Sequence, residues 1–208
     1  MTTDILHDYR STIEHLDMPK GKKKVLLAAI SLFASQGFNG TSTAQIAQTA
    51  EVSQATIFKY FKTKDDLLLA ILSPIAGLLQ TEFTHQSMEM ADLENFVHFA
   101  VQDRFAMVAA NRALFQILLQ EVTINAEIRQ LAQEIFGQTF AQLAPHIRQL
   151  GKQDPQFDSS LTDAAIMRIF IGQLATYFIQ RFVLHMPTLD ETADLSLIER
   201  QILKLLRI

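Results

Sequence analysis

Cysteine is absent from this chain of 208 residues. Its absence excludes disulfide bonds, thiolate metal ligands and a cysteine nucleophile. The six histidines show no HExxH or other metal-ligand spacing, and the sequence contains no phosphate-binding loop, dinucleotide fingerprint or GxSxG nucleophile elbow. We therefore do not expect an enzyme, because the sequence offers no catalytic residue, no metal site and no cofactor site.

Long apolar runs are also missing. Charged or amide side chains interrupt each hydrophobic stretch, including the longest at residues 166–184, whereas a membrane-spanning helix needs roughly 20 apolar residues in succession. The first residues do not form a basic segment followed by an apolar one, as a secretory signal would. We expect a soluble, cytoplasmic protein without a membrane partner. Its 49% content of hydrophobic residues is enough for a folded core.

Charge is segregated along the chain. The formal net charge is -4, but residues 1–17 carry -3, residues 18–64 carry +6 and residues 65–208 carry -7. The middle block holds seven lysines against Glu51 alone. A compact basic block beside a larger acidic one favours a nucleic-acid-binding head on a body with another role. A lysine cluster that is merely solvated would give the same count.

Glycine and proline are scarce, with 7 and 5 residues, and apolar residues recur at spacings of three and four. This pattern predicts an all-α fold. Gly37 stands where the C-cap of the first helix belongs, in the left-handed conformation. The predicted helices cover residues 22–36, 43–50, 54–60, 64–83 with a bend at Pro74, 93–109, 112–122, 126–150, 161–185 and 193–207.

Hydroxyl side chains mark three of the helix starts. Ser42 with Gln45 three residues later is a capping-box signature, and Thr63 with Asp66 repeats that spacing. Ser53 is the expected cap of the short helix between them.

Residues 43–60 meet the steric demands of two short helices that cross over a tight turn. A small side chain at Ala47 would let the two helices approach closely. The expected apolar contacts come from Ile46, Ala47, Ala50, Val52 and Ile57. This spacing predicts a helix-turn-helix, although a plain helical hairpin inside a bundle would share the pattern.

The second helix of such a unit places its N-terminal end against base edges in the major groove of DNA. Gln54, Ala55 and Thr56 should therefore face the bases, with Lys59 beside them. Gln54 can pair with adenine through two hydrogen bonds, and Ala55 or the methyl group of Thr56 can touch a thymine methyl group. Lys59 could reach guanine or a phosphate.

A longer set of positions follows one known pattern. From the first helix to the fourth, these positions are Leu26, Ala28, Ala29, Leu32, Phe33, Gly37, Phe38, Thr41, Ser42, Ile46, Ala47, Ala50, Val52, Ser53, Thr56, Ile57, Phe58, Tyr60, Phe61, Lys64 and Leu67. With them, residues 22–71 resemble the DNA-binding domain of the TetR (tetracycline-repressor-like) family of transcription regulators. The rest of the chain agrees with that family in length and helical layout.

The resemblance implies a role for each matching position near DNA. Thr43 and Lys64 occupy phosphate-contacting positions, and Tyr60 stands where the family often has a histidine near the DNA backbone. The recognition-helix positions are Gln54, Ala55, Thr56 and Lys59. Three residues depart from the family pattern: Glu51 replaces a frequent turn glycine, Ala55 a frequent glycine and Phe58 a frequent tyrosine. Glu51 should then hold a strained φ, unless the turn itself differs.

The resemblance also implies that the second domain forms a homodimer through its last two helices and binds a small effector inside. The candidate dimer residues are Gly172, Ala175, Leu197, Ile198, Ile202 and Leu205, although the apolar stripe on the last helix could serve the intrachain core alone. The candidate effector residues are His98, Phe105, Phe170, Gln173 and Tyr177, each of which could instead be an ordinary core or surface group.

Together these features predict a homodimeric, ligand-responsive transcription regulator. We expect it to be a repressor that leaves a palindromic double-stranded DNA operator when an apolar or amphipathic small molecule binds. The expected domains are an N-terminal arm at residues 1–19, a three-helix DNA-binding domain at residues 20–66 and an effector-binding and dimerisation domain at residues 67–208. One alternative is a DNA-associated interaction protein whose bundle binds a protein partner. Another is an enzyme or carrier with a vestigial DNA-binding head.

Overall fold

The computed structural model describes residue 13 and residues 17–208, without the side chains of residues 75, 76, 78, 79 and 113. Nine α-helices and no β-strand occur in this described part of the chain, which confirms the all-α prediction. The helices are α1 (Lys20–Gln36), α2 (Thr43–Thr49), α3 (Gln54–Tyr60), α4 (Lys64–Met88), α5 (Leu93–Ala110), α6 (Arg112–Ile124), α7 (Ala126–Gly151), α8 (Asp163–Phe178) and α9 (Glu191–Leu206). Most of the N-terminal arm expected at residues 1–19 lies outside the described residues.

The ends of two helices differ from the prediction by five residues or more, while the other boundaries agree to within about two residues. Helix α4 continues through Pro74 to Met88 instead of ending near residue 83. Helix α8 ends at Phe178, and the chain continues as one π-helical turn, Ile179–Val183, rather than as regular helix to residue 185. At the end of α8, the spacing of apolar residues cannot distinguish an α-helical turn from a π-helical turn, because a π turn adds only about one residue to the helical repeat.

The chain forms two compact units. The first contains the residues up to Leu78 together with Ala110–Ala132, and the second contains Leu79–Ala109 together with Gln133–Ile208. This division differs from the boundary expected after residue 66. The reason is that α4 is a single helix that contributes to both units, and that α6 belongs with the N-terminal helices.

The first unit is built around the apolar faces of α1 to α4. Phe33 and Phe38 meet edge to face at 5.2 Å, where α1 gives way to the turn before α2. The side chains of α2 and α3 that are buried are Ile46, Ala47 and Ile57. Leu114 and Ile117 of α6 line a small apolar recess with residues of α1 and α4. Helix α6 therefore packs as a part of this unit.

The second unit has an aromatic core. Phe105 of α5 lies 5.4 to 5.9 Å from the rings of Tyr177, Phe178 and Phe182. Phe96 of the same helix meets the ring of Phe170 edge to face at 5.8 Å. These contacts tie α5 to α8 and to the π turn that follows it.

Candidate nucleic-acid interface

The predicted helix-turn-helix is formed by α2 and α3, and side-chain caps fix where both helices begin. The hydroxyl of Ser42 accepts the amide N–H of Gln45 at 3.2 Å, while the Gln45 side chain accepts the amide N–H of Ser42 at 2.8 Å. The hydroxyl of Ser53 accepts the amide N–H of Thr56 at 3.2 Å. All three helix starts expected from hydroxyl residues are confirmed, since Thr63 and Asp66 exchange the same pair of bonds ahead of α4.

Helix α3 has one face turned to solvent and one turned to the domain. Gln54, Ala55 and Lys59 are exposed, and they share the outward face with Phe58, whose surface is 49% exposed. These four positions follow the i, i+1, i+4, i+5 spacing that places side chains on one side of a helix. Ile57 is buried on the opposite face.

Thr56 does not share that outward face. Its methyl carbon lies 3.4 Å from the position that a Cβ at Gly21 would occupy, and the ring of Tyr60 lies 3.5 Å from the same point. Its hydroxyl lies 2.9 Å from the hydroxyl of Ser53. Thr56 and Tyr60 are half-buried against the start of α1. Sequence reasoning placed Thr56 among the base-facing residues, and the structure uses its methyl group for packing between helices.

At least one lysine of the basic block has its ammonium group hydrogen-bonded within the protein. Lys64 donates to the carbonyl oxygens of Phe38 at 2.8 Å and Thr41 at 3.0 Å, and its ammonium lies 4.2 Å from the centre of the Phe38 ring. It therefore fastens the turn between α1 and α2 to the first residue of α4. Lys20 and Lys59 are exposed to solvent. The phosphate contact expected of Lys64 stays a prediction, with one of its three N–H groups left for it.

Glu51 occupies the turn of the helix-turn-helix with a φ of 53°. This is the left-handed region that favours glycine, so the strained alternative foreseen for this position is the observed one. The carboxylate of Glu51 lies 3.0 Å from the ammonium of Lys24, and both side chains are largely exposed. The pair places a negative charge among the lysines of this surface. Gly37 also has a positive φ of 75°, but its ψ of 165° lies outside the left-handed helical region that was expected.

Two polar contacts join α6 and its C-terminal corner to the turn before α2 and to the start of α4. Asn39, in the turn before α2, donates to the carboxylate of Glu121 at 3.3 Å, and Glu121 is 2% exposed. Asn125 donates to the carboxylate of Asp65 at 2.7 Å. The oxygen of the Asn125 side chain also accepts two amide N–H groups at the start of α7. Sequence reasoning missed all four side chains, although an acid within the apolar stripe of α6 was the available signal.

The residues expected to line an effector cavity fall into two groups. Phe105 of α5 and Phe170 and Tyr177 of α8 are buried in the second unit. Gln173, also on α8, is half-buried. His98 does not join them, because its ring lies 3.1 Å from the carboxylate of Glu199 on α9 and its side chain is largely exposed. The contact between His98 and an effector stays a prediction.

Polar groups meet the effector candidates at the end of α8. The hydroxyls of Tyr177 and Thr188 both donate to the carboxylate of Asp194, and these hydrogen bonds lower the pKa of Asp194. Burial raises the pKa of the Tyr177 hydroxyl.

On α5, the guanidinium of Arg104 lies 3.8 Å from the centre of the Phe83 ring and pairs with Asp103. Burial lowers the pKa of Arg104 in spite of that pairing.

The residues expected at a dimer interface are also divided. Ile198 and Ile202 of α9 are 6% and 0% exposed and belong to the core of the second unit. Leu197 and Leu205 of the same helix are 45% and 49% exposed. Gly172 is exposed and Ala175 is half-buried on α8. The apolar stripe of α9 thus contains buried residues and half-exposed residues.

In the described part of the chain, no helix is long and apolar enough to cross a membrane. Within the same residues, no three histidine or acidic side chains gather as a metal site would require.

Comparison with known proteins identifies the N-terminal segment. Residues 25–71 match the family described as bacterial regulatory proteins, tetR family. The fatty acid metabolism regulator protein of Bacillus subtilis is 26% identical over 113 residues, which cover 54% of this chain and 58% of that protein. The transcriptional regulator RutR of Escherichia coli is 43% identical over 57 residues, which cover 27% of each. The matches thus span less than two thirds of these curated relatives.

A solved structure extends the likeness of fold to most of the chain. The transcriptional regulator FadR from Bacillus subtilis, in complex with stearoyl-CoA, has a TM-score of 0.65 to this chain at 20% sequence identity. The superposition covers 88% of this chain and 96% of that one. At this identity the likeness concerns the fold.

Replacing Lys64 with methionine tests its role in holding the turn. We expect Lys64→Met to lower the free energy of unfolding by about 1.5–3 kcal/mol, because the substitution removes hydrogen bonds from a charged donor to two carbonyl groups. Lys62→Met is the matched control, since Lys62 is exposed two residues away, and it should change stability by less than about 0.5 kcal/mol. Denaturant unfolding of both variants measures the difference. Equal stability of the two variants would contradict the role assigned to Lys64.

Proposed function

Because this chain belongs to the TetR family of bacterial transcriptional regulators, we propose that it acts as a homodimeric repressor that a small amphipathic effector releases from a palindromic operator. The DNA is read by α3, and the effector binds in the second unit. A cytoplasmic location follows from this role, because the operator is chromosomal DNA. Catalysis has no part in the proposal.

The observation that carries the proposal is the exposed face of α3 within a basic surface. Gln54, Ala55, Phe58 and Lys59 point away from the domain, and the surrounding block carries +6. A recognition helix needs both properties. Positive charge attracts the phosphate backbone, and side chains on an outward helical face reach base edges in the major groove.

A dimer is supported by exposed apolar side chains at the end of the chain. Ile179, Val183, Leu197 and Leu205 are between 43% and 49% exposed, although all four are large and apolar. On α8, Gly172 leaves open space beside its backbone, so a partner helix could approach closely. Two copies joined through this face would present two recognition helices, as a palindromic operator requires.

An amphipathic effector is supported by the composition of the second unit. Its aromatic core around Phe105 suits an apolar chain, and Arg104 is a partly buried cation that suits an anionic group. FadR, which shares the fold, was crystallised with stearoyl-CoA. We therefore propose a long-chain acyl thioester or a molecule of similar character as the effector, with stearoyl-CoA as the first probe.

Coupling between effector and DNA has a physical route in the first unit. The chain passes between the two units within α4, between Ala109 and Ala110, and within α7. Glu121 of α6 is hydrogen-bonded to Asn39 in the turn before α2. Asn125, the residue that follows α6, is hydrogen-bonded to Asp65 at the start of α4. A shift of α6 would therefore move the recognition helix. An effector that binds the shifted state more tightly would weaken operator binding. Operator DNA would weaken effector binding by the same factor, because the coupling between two binding sites is reciprocal.

Selection of random duplex DNA with the full-length protein tests the function. We expect one palindromic sequence to be enriched, and fluorescence anisotropy should show an affinity that falls with salt by a log-log slope of roughly 0.9 per phosphate contact. Stearoyl-CoA should lower that affinity with increasing dose. Enrichment of no sequence above background would overturn the DNA-binding function.

Leu197→Glu tests the dimer face. The substitution places a charge on an exposed apolar side, so we expect folded monomers that bind the operator weakly. Ile202→Glu is the contrasting variant, since it puts the same charge into the intrachain core and should prevent folding. Sedimentation and circular dichroism separate the two outcomes. A Leu197→Glu protein that remains dimeric would place the interface elsewhere.

Asn125→Asp tests the route of coupling. The aspartate keeps the oxygen that caps α7 but replaces the donor to Asp65 with a second carboxylate, so the contact becomes repulsive. We expect a smaller ratio between operator affinities without and with stearoyl-CoA. Adding Asp65→Asn restores a donor and acceptor in exchanged positions, and the double variant should recover most of the ratio. Anisotropy titrations on the wild type, the two single variants Asn125→Asp and Asp65→Asn, and the double variant measure this coupling. An unchanged ratio in Asn125→Asp would exclude the contact from it.

A further inference from the structure

Phe58 is an exposed aromatic side chain at the centre of the outward face of α3. It follows Gln54 by four residues and Ala55 by three, so the three side chains are neighbours on that face. The other large apolar residues nearby are buried, with Ile57 at 1% and Phe61 at 4% exposure, whereas Phe58 is 49% exposed. The packing of the domain therefore does not explain why position 58 is aromatic.

The chemistry of Phe58 restricts what it can contact on DNA. A phenyl ring has no hydrogen-bonding group, so a phosphate or a polar base edge offers it little. The major groove presents one apolar group, the C5-methyl group of thymine, and phenylalanine is a side chain that contacts it. The methyl group of Thr56 could have served the same purpose, but it packs toward Gly21.

We propose, on the premise that the protein binds a DNA operator, that Phe58 determines specificity by contacting a thymine C5-methyl group in each half-site. The thymine lies beside the base that Gln54 reads, because the two side chains stand one turn apart on the same face. Ala55 borders the same apolar patch. Duplex DNA is the occupant of this patch because Lys59 is exposed on the same face and residues 18–64, which contain α3, carry a net charge of +6.

Deoxyuridine isolates this contact, because it differs from thymidine only by the missing C5-methyl group. The operator is first selected with the wild-type protein, and each thymine position is then replaced symmetrically by deoxyuridine. At one position the wild-type affinity should fall by about fourfold for each half-site, the factor that corresponds to about 0.8 kcal/mol for one buried methyl group. The other thymine positions should show much smaller changes.

Phe58→Ala should bind the thymine operator more weakly than the wild type does and should lose the deoxyuridine effect at that position. Phe58→Tyr keeps the ring and should keep the effect. Lys62→Ala is the control, because Lys62 is exposed outside α3 and its loss should leave the deoxyuridine effect intact. Thermal unfolding should be nearly unchanged in Phe58→Ala, since the side chain is half-exposed.

A deoxyuridine effect that persists in Phe58→Ala would overturn the proposal while leaving the DNA-binding function in place. The same holds if no thymine position is sensitive in the wild type, or if Phe58→Ala leaves operator affinity unchanged, which would make the patch a surface for another partner. Failure of the wild type to select any operator would instead remove the proposed function on which the inference rests.

Discussion

The bond of the Lys64 ammonium to the turn between α1 and α2 is the contact on which the geometry of the DNA-binding unit depends. Phe38 and Thr41 offer carbonyl oxygens that no helix uses, and Lys64 reaches both from the first residue of α4. A charged donor is well suited to this place, because one ammonium satisfies two acceptors and also lies against an aromatic ring. The turn that precedes the helix-turn-helix is thereby held against the start of α4.

The polar contacts of α6 extend this arrangement. Burial of the Glu121 carboxylate carries a desolvation cost, and the amide of Asn39 offsets part of it. Such a contact is more directional than apolar packing, so it specifies how α6 meets the turn rather than merely holding it close. Asn125 adds a second fixed point and caps α7 at the same time. Under the proposed function, these two contacts would carry a displacement of α6 to the turn before α2 and to the start of α4.

The exposed surface of α3 depends on the turn that precedes it and on its packing against α1. Glu51 holds the turn before it in a left-handed conformation and places a carboxylate beside Lys24. Thr56 and Tyr60 face inward, which leaves Gln54, Ala55, Phe58 and Lys59 as the outward set. The packing of α1 against α3 thus decides which side chains of α3 are available, and under the proposed function these would combine hydrogen bonding with apolar contact.

The sequence by itself determined the all-α class, the positions of the helix-turn-helix and its caps, and the family. These are local properties: Ser42 and Gln45 lie three residues apart, and a helical repeat of 3.6 residues can be read from any stretch of the chain. The positive φ at Glu51 was foreseen as one of two outcomes for the same reason, since a tight turn leaves few choices.

Only the tertiary structure decided which side of an element faces the core. In α9, Ile202 is buried and Leu205 is half-exposed, although both belong to one apolar stripe in the sequence. The partners of Lys64 and Glu121 lie 23 and more residues away, so no local pattern could reveal them. Side chains such as Thr56 and His98 have chemistry that suits several roles, and the role is fixed by the neighbours that folding brings to them.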